Sequence, residues 1–300
     1  MILQEKWLEE YLEECEKGKG LSFHTLKAYR IDLKLFKNKM NDFSLNINKE
    51  TLKSYIKFLN NEYKPKSAKR KLASVKAFIR HLVFEEIIDL NPFDKIRMSY
   101  REAKVLPKVI ETSTISEIYA LIKLDLDNSE TEYQKLLNLR NLLLIDILIS
   151  TGIRVSELCR IKSSNINLIN NTIVIEGKGK KERLLHIGSI DTVNLIKEYM
   201  NGMDEESEYL FQSMKGNNLD TNSIRHLLKK YCKAAHLSKH VTPHQFRHTF
   251  ATLLLEDDVD IRIIQKILGH SSINTTAIYA DVAQKKIRQV MINKNPRIRI

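Results

Sequence analysis

Six side chains follow one another along the second half of this chain: Arg154, Lys178, His244, Arg247, His270 and Tyr279. Two guanidiniums, an ammonium and two imidazoles are groups that hold or protonate phosphate oxygens, and the set ends in a phenol. A guanidinium fork matches two phosphate oxygens at once. A phenolic oxygen can take over a phosphoryl bond and store it as a covalent ester. The set therefore describes phosphoryl transfer through a protein-bound intermediate, with no metal ion or nucleotide cofactor required.

Taken singly, the signals are modest. Thr242-Pro243-His244-Gln245 reads as a helix start, with Thr as N-cap, Pro at the first position and Gln at the third. His244 then lies in the first turn and Arg247 one turn on, where a phosphate would meet an imidazole, a guanidinium and the positive helix end. His244 and His248 are also spaced i, i+4 like zinc ligands. The Glu of the H-E-x-x-H pattern and a third ligand are missing, so no metal is expected. Arg154 follows Thr151-Gly152-Ile153 between two helices, where an arginine is usually a surface or capping residue and alone says little. Lys178 lies in a Gly-Lys-Gly turn that lacks the spacing of a nucleotide-binding loop, and a turn lysine can serve solubility alone. Tyr279 needs assistance as a nucleophile, since a free phenol titrates near ~10.

The elements that must position these groups divide in two. Residues 1–96 carry four amphipathic helices: Leu3, Trp7, Leu8, Tyr11 and Leu12; Leu26, Tyr29, Leu33, Phe36 and Met40; Leu52, Tyr55, Ile56 and Leu59; and Leu72, Val75, Phe78, Ile79 and Leu82. Ser67 is the expected N-cap of the fourth, whose other face shows Lys69, Arg70, Lys76 and Arg80 as candidate DNA contacts. Residues 97–108, basic and containing Pro107, read as a linker. Residues 109–300 form the second domain. Helices are expected at about 136–150 and 155–160. A hairpin joins 172–176 to 183–187, with a short strand before Asn170-Asn171. Further helices are expected at about 189–201, 222–235, 243–256, 260–268 and 272–290. The fold class is thus mainly α with a small antiparallel β-sheet.

Charge supports a polyanionic partner. The chain has 300 residues, with 49 Lys+Arg against 37 Asp+Glu and a net charge of +12. Residues 64–81 hold seven Lys/Arg and no acid, and residues 221–255 hold six Lys/Arg, five His and no acid. Acid-free windows on helices point to nucleic acid before an anionic membrane. Cys15, Cys159 and Cys232 are few and scattered, which fits a reducing, cytoplasmic setting. The run Met1-Ile2-Leu3-Gln4-Glu5-Lys6 does not read as a signal peptide. The longest apolar stretch, Leu142 to Ile149, is broken by Asp146 and too short to cross a bilayer.

The motifs Thr-Gly-Ile-Arg-Val-Ser-Glu-Leu, Gly-Lys-Gly-Lys-Lys-Glu-Arg, His-Gln-Phe-Arg-His-Thr-Phe-Ala-Thr and Leu-Gly-His-Ser-Ser, followed by Thr-Thr and Ile-Tyr, resemble the tyrosine recombinase (phage integrase) family. Leu21 to Arg30 and Lys69 to Leu72 are similar to the helical, SAM-like core-binding domain of its Xer-type members. The resemblance implies an α+β catalytic domain behind that helical domain. It implies a DNA strand transferase acting through a 3′-phosphotyrosine. Arg154 and Arg247 match the arginines on the non-bridging oxygens, and Lys178 matches the lysine that protonates the leaving 5′ oxygen. His244 matches the group assisting proton transfer at the tyrosine, His270 a phosphate contact, Tyr279 the nucleophile and Glu157 a supporting acid. Duplex DNA, a homo- or hetero-tetramer, with 282–300 docking on a neighbour, and possible accessory proteins are the implied partners. Asp257-Asp258-Val259-Asp260 departs from the glycine usual at that turn in Xer members. A type IB topoisomerase, or a non-catalytic regulator using helices 243–268 to bind DNA, remain the alternative readings.

Overall fold

The computed structural model describes residues 4–42, 47–96, 109–177, 182–204, 206–213, 217–238 and 240–269. Two compact units divide the chain, Met1–Val105 and Leu106–Ile300. The expected linker at 97–108 and the expected helix at 272–290 lie outside the described residues.

The first unit is four helices, α1 (Glu5–Lys17), α2 (Phe23–Asp42), α3 (Lys49–Glu62) and α4 (Pro65–Phe84), closed by a 3₁₀ turn at Pro92–Lys95. Their apolar stripes meet in one core that includes Tyr11, Phe36, Leu52, Tyr55, Val75 and Phe78. α4 corrects the expected start. Pro65 occupies the first turn and Lys64 is the N-cap, so Ser67 lies inside the helix. Proline's fixed φ favours that position over a serine two residues on.

Asp32 of α2 is fully buried. It accepts hydrogen bonds from both ends of the Arg70 guanidinium, and from Lys71 Nζ and Ser74 Oγ at 3.0 Å each. Arg70 and Lys71 are therefore engaged internally, and the Lys71 ammonium also lies 4.7 Å from the Tyr63 ring centre. At about 100° per residue, Lys69, Lys76 and Arg80 fall within about 40° of one another on α4, while Arg70 is turned about 100° away from Lys69.

The second unit is built on α6 (Glu132–Thr151), which packs against α5 (Thr112–Asp127), α8 (Ile190–Asn201) and α10 (Pro243–Glu256). Leu142, Leu143, Leu144, Ile145, Ile147 and Leu148 of α6 are all buried, so this helix is apolar around most of its circumference. It begins four residues before the expected Leu136, because the Thr131 hydroxyl caps the Gln134 N–H at 3.1 Å. α5 has no counterpart among the expected helices. Ile115, Ile118 and Ile122, spaced i, i+3 and i+7, form its buried stripe, and the helix packs against α6 and α9 (Thr221–Ala234).

A short α7 (Val155–Leu158) follows, then a three-stranded antiparallel sheet of β1 (Ile166–Asn167), β2 (Thr172–Glu176) and β3 (Glu182–His186) in the order β1-β2-β3. Thr172 pairs with His186 and Glu176 with Glu182, so the expected hairpin forms with its second strand one residue earlier than 183–187. α9 (Thr221–Ala234), α10 and α11 (Ile261–Leu268) complete the unit. At the turn where Xer members usually carry glycine, Asp258 adopts φ +67°. Aspartate is one of the few non-glycine residues that tolerate this left-handed conformation. Among the described residues, no helix is long and apolar enough to cross a membrane.

Candidate functional site

α6 ends at Gly152, whose φ of +61° turns the chain, and Arg154 stands two residues on as the N-cap of α7. Glu157, one turn into α7, is 7% exposed. Its Oε1 accepts from Arg154 Nη1 at 2.8 Å, and its Oε2 accepts from the Arg154 backbone N–H at 3.2 Å. Arg154 Nη2 donates to the carbonyl of Gly269 at 3.0 Å.

Arg247, inside α10, is 4% exposed. It donates from Nη1 to the Gly152 carbonyl at 2.9 Å and from Nη2 to the Leu268 carbonyl at 2.7 Å. The two arginines thus grip one corner from both sides: the Gly152 turn and the C-terminal end of α11. Gly269 closes α11 with φ +63°. A buried guanidinium has to be hydrogen-bonded to be tolerated, and carbonyls at helix ends supply acceptors that have no partner within their own helix.

The start of α10 follows the expected chemistry. The Gln245 side chain accepts from the Thr242 backbone N–H at 2.8 Å, and Pro243 fills the first turn. His244 and His248 approach through their Nε2 atoms at 3.0 Å, with ring planes 70° apart. Burial, His244 and the Arg247 charge together push the His248 pKa down to about 4, so it is neutral near pH 7. Thr249 of α10 is buried and its hydroxyl accepts from the Ile110 N–H at 2.9 Å, tying the entry of the second unit to the same helix.

Arg154, Glu157 and Arg247 are therefore brought together, with His244 one turn before Arg247. Lys178, His270 and Tyr279 lie outside the described residues. Lys69 and Arg80 are exposed on α4 and Lys76 is partly buried, its ammonium 5.4 Å from the Phe93 ring centre. Arg70 is exposed too, but its guanidinium is engaged by Asp32. Among the described residues, no group of three or more His, Cys, Asp or Glu could hold a metal ion.

Sequence reasoning assigned no role to Arg183. On β3 it shares the inward side with the buried Leu185, while Glu182, Leu184 and His186 are exposed. Its fork closes on Glu157, Nη1 to Oε1 at 3.0 Å and Nη2 to Oε2 at 2.9 Å. Burial works to raise the Glu157 carboxyl, but the hydrogen bonds and charges of Arg183 and Arg154 outweigh it, and its pKa lies below the ordinary glutamate value. The alternation of β3 was the available signal: a charge at an inward strand position needs a buried counter-charge.

Comparison with known proteins follows the same lines. Residues 113–286 match the phage integrase family, and residues 8–86 match its N-terminal SAM-like domain. A tyrosine recombinase of Agathobacter rectalis is 45% identical, with 96% of this chain and 95% of that protein covered. Tyrosine recombinase XerC of Leptospira interrogans is 32% identical over 94% of this chain and 90% of its own. A crystal structure of a lambda integrase tetramer bound to a Holliday junction shares the fold, with a TM-score of 0.68 at 21% identity, covering 89% of this chain and 74% of that one. By matched family and by whole-length identity to recombinases, this chain belongs to the phage integrase family and is a Xer-like tyrosine recombinase, a DNA strand-transferring enzyme.

Proposed function

We propose that this recombinase cuts and rejoins duplex DNA at a specific site, with Tyr279 as the nucleophile and Arg154, Lys178, His244, Arg247 and His270 around the scissile phosphate. The Tyr279 oxygen attacks phosphorus, forming a 3′-phosphotyrosine bond as the bond to the 5′ oxygen breaks. The phenolic proton passes toward His244, and Lys178 gives a proton to the departing 5′ oxygen. Arg154 and Arg247 balance the charge that builds on the non-bridging oxygens, and His270 adds a donor there. One ester replaces another of similar energy, so a free 5′ hydroxyl can reverse the step without ATP.

The observation that carries this reading is the shared corner. Both guanidiniums are held by the Gly152 turn and the end of α11, which fixes them relative to one another before any phosphate arrives. Preorganised donors of this kind cost no rearrangement in the transition state. Residues 1–96 form the helical core-binding domain, 97–108 the linker and 109–300 the catalytic domain. Lys69, Lys76 and Arg80 face the DNA backbone, with Arg70 contributing only the part of its charge that Asp32 leaves. Cytoplasmic location, assembly as a homo- or hetero-tetramer on two duplexes, docking of 282–300 on a neighbour and the use of accessory proteins belong to the same proposal, motivated by the family and by the related tetramer.

Tyr279→Phe tests it. With a nicked suicide substrate the wild type accumulates a covalent DNA adduct, while the variant binds the same DNA and accumulates none. An adduct on the variant overturns the assignment of Tyr279. Sequence-independent relaxation of supercoiled DNA by the monomer would instead favour a topoisomerase.

A further inference from the structure

We infer that Arg183 is a positioning residue for the strand-transfer reaction, one that keeps the positive charge of Arg154 available to phosphate by sharing its counter-ion Glu157. The inference rests on the proposed role of Arg154.

The geometry is a complete arrangement around one carboxylate. Glu157 Oε1 receives Arg154 Nη1 at 2.8 Å and Arg183 Nη1 at 3.0 Å, and Oε2 receives Arg183 Nη2 at 2.9 Å and the Arg154 N–H at 3.2 Å. A carboxylate has about four acceptor directions, and all are used. With both oxygens taken by the Arg183 fork, the carboxylate plane cannot rotate away from Arg154.

Charge makes the second half of the argument. Arg154 and Glu157 alone would be a neutral pair, and an acid that neutralises a phosphate-binding arginine works against its purpose. A second guanidinium on the same acid leaves one net positive charge on the cluster, and Arg154 is the member with the more exposed side chain, 39% against 18% for Arg183. Arg183 also supports the other anchor of Arg154. A methyl group added at Gly269 would stand 3.1 Å from Arg183 Cδ and 3.2 Å from its Nε, so the stem of Arg183 lies against the glycine whose carbonyl holds Arg154 Nη2. Arg183 stands on β3, five residues after Lys178. β3 is thereby fastened to the arginine corner.

Single-turnover cleavage of a nicked suicide substrate by the full chain tests this, with half-site affinity measured alongside. Arg183→Ala should slow cleavage by about 10²-fold, the scale of a misplaced catalytic group, with little change in affinity. Glu157→Gln in the Arg183→Ala background should recover about 10-fold of that loss. It removes the acid that would otherwise neutralise Arg154 and keeps one acceptor oxygen for it. Loss of packing alone predicts the opposite, a double variant slower than either single variant, and that result would overturn the inference. Arg183→Lys, which keeps charge but not the fork, should be slowed less than Arg183→Ala, and serves where the alanine variant does not fold. Arg154→Ala separates the two readings. If it cleaves at the wild-type rate, the role of Arg154 fails and this inference with it. If it is inactive while Arg183→Ala matches the wild type, only the present inference fails.

Discussion

Gly152→Ala should destabilise the second unit and disturb both arginines. Gly152 has φ +61°, and an added methyl carbon would lie 2.4 Å from Phe250 Cδ1 and 2.9 Å from Leu268 Cδ2. A non-glycine residue in the left-handed region costs about 1–2 kcal/mol, and forcing a methyl into packed space costs about 1–3 kcal/mol. The combined loss is about 2–5 kcal/mol. Leu268 is buried in the small cluster with Ala251, Leu255 and Ile264, so it has little room to retreat. Its carbonyl and that of Gly152 are the acceptors of Arg247, so relief of the clash displaces the guanidinium, and cleavage should fall by about 10²-fold for a shift near 1 Å. Equilibrium urea unfolding followed by far-UV circular dichroism measures the stability loss. The emission of Trp7, the chain's single tryptophan, reports the first unit instead. Gly188→Ala is the control, because an added methyl there meets nothing within 4 Å, and its change should stay within about 0.5 kcal/mol. A Gly152→Ala protein within about 0.5 kcal/mol of the wild type would refute the reasoning.

Asp32→Ala should cost the first unit about 3–5 kcal/mol by leaving Lys71 buried without its carboxylate, seen as a lower urea midpoint in Trp7 emission; adding Lys71→Met should return part of it. Lys69→Ala and Arg80→Ala should each flatten the log–log salt dependence of DNA binding by about 0.9, whereas Arg70→Ala should mainly move the unfolding midpoint. The His248 pKa is about 4 when folded and about 6.5 when unfolded, so between these values only the unfolded chain takes up the proton. Stability should therefore fall as pH drops from about 6.5 toward 4, and His248→Asn should flatten that part of a midpoint-against-pH curve. Lys178→Ala should cleave normal DNA very slowly yet recover near wild-type cleavage when sulfur replaces the bridging 5′ oxygen, since a thiolate departs without a proton; Arg154→Ala should gain no such rescue, and equal failure of both would remove Lys178 from the proton-transfer role.

Much of this molecule was legible in the chain because the relevant physics is local. Apolar spacing marked α1 to α4, a leucine-rich run marked most of α6, α8 to α11 stand close to the helices expected there, and Thr242-Pro243-His244-Gln245 carried the start of α10 in its own side chains. The paired runs around Gly177 placed the hairpin, and the family resemblance of the motifs carrying Arg154, Glu157, His244 and Arg247 implied a common site. Other features depend on partners far along the chain. Asp32 holds Arg70 across 38 residues and Arg183 reaches Glu157 across 26, so no window of sequence could tell that Arg70 is engaged internally or which acid answers the inward charge of Arg183. The carbonyls of Gly152, Leu268 and Gly269 have no sequence signature at all, since every residue carries one. Only the close approach of a turn and a helix end gave these three to Arg154 and Arg247 as fixed acceptors, because burying a guanidinium is tolerable only where the backbone meets its donors.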